Sequence, residues 1–140
     1  MFSLVDALEM SRVFPMERKE EVIVFLAGIP EEKFGSLDYL CKNILPNYNT
    51  YDKKFQPERT LMTSYVTNLV GKGFISKREP PFDPTEREEF SKKVVGEIIN
   101  KGPRKTKSVF ALTKSGREEF EKIKKKYSGG LKDEKKSEEG

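Results

Sequence analysis

The sequence predicts a mainly α-helical α+β domain with a small β-hairpin. Three features carry that expectation. Through the first 44 residues, apolar side chains recur at steps of three and four, the period of an amphipathic helix. A further helix then runs into Leu69-Val70-Gly71-Lys72-Gly73-Phe74-Ile75, where glycine ends the helix and a strand follows at once. Finally, SVFALTKSGREEFEKIKKKY from Ser108 to Tyr127 reads as a strand that stops at Leu112 and turns into a charged helix. Thr113 is placed to cap that helix, Ser115 and Glu118 offer an overlapping capping box, and Phe120, Ile123 and Tyr127 form its apolar stripe.

In chain order, Ser3 with Asp6 caps a first helix bearing Phe2, Val5, Leu8 and Val13, and Pro15 ends it. A second helix starts near Met16 or Glu17 and carries Val22, Ile23, Phe25 and Leu26 before Gly28 and Pro30. Ser36 caps a third, short helix with Leu37, Leu40, Cys41 and Ile44. The stretch PNYNTYDKKFQ, Pro46 to Gln56, is a loop by its Pro and Asn content. Pro57 opens the next helix at a position where its missing N–H costs nothing, and Met62, Val66, Leu69 and Val70 form the buried stripe. Strands are expected at 74–79 and 107–112. Between them, residues 83–100 read as a helical insertion with Asp83 as cap and Pro84 first, although KKVVGEII also fits a strand. This divides the chain into an N-terminal helix at 1–14, a domain at 16–127 and a charged, disordered tail at 128–140.

A chain of 140 residues suits one domain with a core of its own. One cysteine, Cys41, forms no internal disulfide and reads as a small core residue. There is no histidine, which removes the commonest general base and, with a single cysteine, any Cys/His zinc site within the chain. No nucleophile motif or phosphate-cradling glycine loop offers a catalytic set, so neither an enzyme nor a cofactor is expected. No window reaches the apolar length of a membrane span, and Met1–Val5 is too short and lacks the basic start of a leader; the expectation is a soluble, cytoplasmic protein. Abundant Lys and Glu, with Gln56 the only glutamine, resemble the composition of thermophile proteins.

Net charge is only +4, but it is segregated. Residues 1–41 hold four basic and eight acidic side chains, whereas 42–78 hold seven and two. Residues 79–100 hold three and six, and 101–127 hold ten and three. Alternating segments of this kind predict one basic face and a polyanionic partner.

In their order, TSYVTNLVGKGFI and SVFALTKSGREEFEKI resemble the winged helix-turn-helix regulators of the MarR and PadR kind. There a recognition helix ends in Leu-x-x-x-Gly-aliphatic-Ile, a hairpin wing follows, and its return strand ends in Leu-Thr-x-x-Gly-Arg before a dimerising helix. The resemblance covers about Met16 to Tyr127. It implies a homodimeric, double-stranded DNA-binding transcription regulator with 57–72 as recognition helix. Two departures are evident: the link from the Ser36 helix to the Pro57 helix exceeds a compact helix-turn-helix turn, and residues 83–100 interrupt the wing.

If Met62, Val66 and Leu69 face the core, Thr60, Thr63, Ser64, Thr67 and Asn68 fall on the opposite side. These are small hydrogen-bonding residues without negative charge; Asn68 suits adenine and the threonine methyls suit thymine in the major groove. Arg59 and Lys72 flank the helix as phosphate contacts, and Arg104, Lys105 and Lys107 form a basic wing tip. A solvated polar face is the alternative for the helix, and a soluble loop for the wing tip. Lys122, Lys124, Lys125 and Lys126 sit near a helix C-terminus, where cations are favoured without any ligand. Tyr48, Tyr51, Lys53, Lys54 and Phe55 interleave aromatics with cations, as single-strand binders do, but a loop packed on the domain explains them more simply. A protein-interaction module, using the acidic helices from Glu17 and Glu86, is the competing function. An effector ligand has no residue pattern to identify it.

Overall fold

Ser3 closes a capping box with Asp6, each side chain bonding the other's backbone N–H, and so starts helix α1 (Leu4–Val13). Helix α2 (Arg18–Ala27) follows, its first turn held by the Glu17 N–H donating to Glu20 Oε1 at 3.0 Å. Strand β1 (Phe34–Ser36) runs directly into α3 (Leu37–Ile44), for which Ser36 is the cap, accepting from the Tyr39 N–H. A 3₁₀ turn at Lys53–Phe55 leads into α4 (Gln56–Gly71) with Pro57 in its first turn. The remaining elements are β2 (Ile75–Arg78), α5 (Pro84–Ser91), β3 (Val94–Val95), β4 (Val109–Leu112) and α6 (Lys114–Glu139). This computed structural model describes residues 2–96 and 108–139, with side chains as far as Tyr127.

The four described strands form one sheet in the order β2-β4-β1-β3. Strands β2 and β4 pair antiparallel over Ile75↔Leu112 to Arg78↔Val109, β4 pairs antiparallel with β1, and β1 pairs parallel with β3. The α+β class, mainly helical with a small sheet, is as expected.

Helix α2 is the centre of the core. Val22, Val24 and Phe25 have no exposed surface, and the helix packs against α1, α3, α4, β4 and α6. Full burial of each such side chain stabilises by about 1.5–3 kcal/mol. Helix α4 adds Met62, Val66 and Leu69, α3 adds Leu40 and Cys41, and α6 adds Phe120 and Ile123. The stripe on α6 is therefore consumed within the chain: Phe120 meets Phe2 edge-on at 4.6 Å, and Tyr127 stacks on Phe14 at 5.1 Å.

Three expectations need correcting. Phe34–Ser36 is a strand that the sequence pattern did not predict. The segment KKVVGEII does not continue the insertion helix; Val94–Val95 is a strand, and residues beyond Gly96 lie outside the described set. Gly96 explains the switch. Its φ is +92, and a Cβ there would lie 2.4 Å from Ser36 Oγ and 2.7 Å from Tyr39 Cβ, so the chain crosses the start of α3 where only glycine fits. The charged tail is helical rather than disordered, since α6 runs to Glu139, through a stretch dominated by good helix formers. Boundaries otherwise shift by a few residues: the expected strand 74–79 is Ile75–Arg78, and 107–112 is Val109–Leu112. Among the described residues, no helix is long and apolar enough to cross a membrane.

Candidate nucleic-acid interface

Helix α4 presents its polar residues outward. Thr60, Thr63, Ser64, Thr67 and Asn68 are all exposed and line one shallow concavity, while Met62, Val66 and Leu69 turn inward. The hydroxyls of Thr60, Thr63 and Ser64 donate to the carbonyls of Gln56, Arg59 and Thr60, at 3.0, 3.0 and 3.2 Å. Each hydroxyl thus satisfies its proton on its own helix and offers lone pairs to the outside. No carboxylate lines this surface.

The helix ends in a Schellman motif. The Phe74 N–H bonds Leu69 O and the Gly73 N–H bonds Val70 O, both at 3.0 Å, with Gly73 at φ +81. Lys72 caps this end and is exposed, as are Lys77 and Arg78 on β2; the Arg78 guanidinium lies 5.5 Å from the Phe34 ring centroid.

Arg59 does not stand where its position at the helix start suggests. Its guanidinium turns back on the preceding loop, with Nη1 donating to Thr50 O at 3.0 Å and to the Tyr48 hydroxyl at 3.3 Å, and Nη2 to Asp52 O at 3.3 Å. Burial pushes the Tyr48 hydroxyl's pKa up, against the lowering effect of this cation. From the other side, the Thr50 hydroxyl donates to the buried Asp38 carboxylate, whose second oxygen lies 3.1 Å from Lys42 Nζ. The long loop is therefore fastened to both helices it connects, and Arg59 is part of the fastening.

The same loop divides its aromatics. Tyr48 and Phe55 pack on each other at 5.2 Å, whereas Tyr51 is 75% exposed. Neither that split nor the fastening is visible as a pattern in the sequence.

The described part of the insertion, residues 83–96, folds back onto the sheet. Phe90 of α5 stacks on Phe34 of β1 at 5.7 Å, and β3 adds to the sheet edge beside β1. Arg104, Lys105 and Lys107, the expected wing tip, lie outside the described residues. No group of carboxylates or Cys41 suited to a metal ion occurs among the described residues. Compared with known proteins, the chain matches no family model, no curated protein and no solved structure.

Proposed function

We propose that this chain is a double-stranded DNA-binding protein of winged helix-turn-helix design, acting in the cytoplasm as a homodimeric transcription regulator. The observation that carries the reading is the outward face of α4: five small polar side chains, all exposed, on a helix whose other side is anchored in the core. A helix of this width enters the major groove, where hydrogen-bonding side chains read base edges. The order α2-β1-α3-α4-β2, with α5 and β3 inserted before β4, and the place of β4 between β2 and β1 in the sheet support the winged-helix assignment. Lys72, Lys77 and Arg78 beside the α4 terminus supply phosphate contacts, and Arg104, Lys105 and Lys107 extend them.

Dimerisation rests on α1, where Val5 and Val13 are 64% and 63% exposed and Leu8 42%. A two-fold pair would place its two α4 helices about 34–36 Å apart on one DNA face.

The competing reading, a protein-interaction module, draws on Phe82, 93% exposed beside the acidic start of α5. Selection of bound sequences from a random duplex pool discriminates the two. An enriched palindrome supports the regulator; a pool with no enriched motif removes it.

A further inference from the structure

We infer that the loop from Asn49 to Phe55 is a second duplex-contacting element, a preformed clamp that lays Lys53 and Lys54 on the phosphate backbone beside α4, with Arg59 positioning it. This rests on the DNA-binding reading given above. The loop is longer than a tight turn between α3 and α4 requires, and a long free loop would cost ordering entropy on binding. Here that ordering is already in place. Arg59 binds the loop at three oxygens, the Thr50 hydroxyl bonds Asp38, the Asn49 side chain accepts from the Tyr51 N–H, and Asp52 Oδ1 accepts from the Lys54 N–H at 3.0 Å.

What the fastened loop leaves outward is Tyr51 and two cations. Lys53 is exposed and forms no ion pair among the described residues. Lys54 has 71% of its side chain exposed, with Nζ 3.8 Å from Asp52 Oδ2 and 5.2 Å from the Phe55 ring centroid. Both residues form the turn that runs straight into α4, so they stand at its N-terminal end. The nearby carboxylates set the ranking. Asp52 is already engaged by the Lys54 amide and ammonium, so Lys53 is the stronger phosphate ligand of the two. Glu58, exposed in the first turn of α4, opposes both modestly across water.

Arg59 acts through the loop and not on the duplex. Its Nη1 and Nη2 donate to the Tyr48 hydroxyl and to the Thr50 and Asp52 carbonyls, and a lysine there could not hold three acceptors in one plane.

The test measures binding of the full chain to a random-sequence duplex against salt. The probe set is wild type, Lys53→Ala/Lys54→Ala, Arg59→Ala and the triple variant, each checked for unchanged helical content. Each lost phosphate contact lowers the log–log slope by about one, so the double variant should lose between about one and two. The triple variant should match the double variant, because Arg59 contributes only by holding the two lysines. Hydrogen exchange at the amides of residues 50–55 should quicken in Arg59→Ala and stay slow in Lys53→Ala/Lys54→Ala. A wild-type slope retained in the double variant overturns the clamp and leaves the DNA reading standing. A triple variant that loses a further unit overturns the positioning role, since Arg59 would then touch phosphate itself. Wild type that does not retard duplex at low salt overturns the parent reading and the clamp together.

Discussion

Tyr127 on α6 donates its hydroxyl to Glu20 Oε1 on α2 at 2.6 Å, joining residues 107 positions apart, and Lys126 Nζ reaches Glu20 Oε2 at 3.0 Å. Burial raises the Glu20 pKa, but hydrogen bonds from Tyr127, the Glu17 N–H and Lys126 outweigh it and hold the carboxyl below its ordinary 4.5. A carboxylate depressed in the folded state stabilises above its unfolded pKa, and that contribution is lost as pH falls through the folded value. Urea midpoints measured from pH 7 down to pH 3 should therefore fall more steeply for wild type than for Glu20→Gln. Parallel falls would mean that the link contributes nothing.

Tyr39 behaves oppositely. Burial pushes its hydroxyl up to about 12, and it donates to Phe25 O at 2.8 Å. Below pH 10 the phenol is neutral in both states. Above that, the unfolded chain ionises first, so stability falls as pH rises from about 10 toward 12. Tyr39→Phe removes that alkaline slope and costs about 1 kcal/mol at neutral pH, more if the Phe25 carbonyl is left unpaired. Denaturant titrations at pH 7 and pH 11 check both.

Two glycine substitutions should differ in sign. A Cβ on Gly116 would lie 2.0 Å from Phe74 O, so Gly116→Ala forces backbone apart and costs about 2 kcal/mol or more. Gly71, in α4 with nothing within 4 Å of such a Cβ, should gain about 0.4–1 kcal/mol on becoming alanine. Thermal melts of the two variants decide it.

The exposed α4 face predicts function lost without stability lost. Thr63→Ala/Asn68→Ala should change unfolding free energy by about 0.5 kcal/mol or less, because neither side chain is buried. The same variant should fail to enrich the duplex sequence that wild type selects. A marked drop in melting temperature would instead mark these residues as structural.

Local signals were legible in the sequence. Ser3 with Asp6, Ser36 and Pro57 mark helix starts correctly, and the inward stripe Met62, Val66 and Leu69 follows from spacing alone. What sequence reasoning missed is non-local. Phe34–Ser36 is three residues long and doubles as a helix cap, so no periodicity could show through; its pairing with Phe110, Val109, Val94 and Val95 makes it a strand. Val94–Val95 sits in a run whose apolar spacing suits a helix, and the contact of Gly96 with Ser36 and Tyr39 overrides that spacing. Arg59 stands at the helix start as the sequence implies, but its guanidinium is bonded to oxygens of the preceding loop. The oxygens that claim it come from a loop whose path no motif records.

The junction between β4 and α6 is closed by Thr113. Its N–H donates to Phe74 O at 3.1 Å, its hydroxyl donates to Gly73 O, and it accepts from the Gly116 N–H at 3.0 Å. The base of the long last helix is thereby bolted to the two residues whose N–H groups close α4. A displacement at the first turn of α6 therefore reaches the α4 terminus through the bonds at Thr113 and not through a free linker.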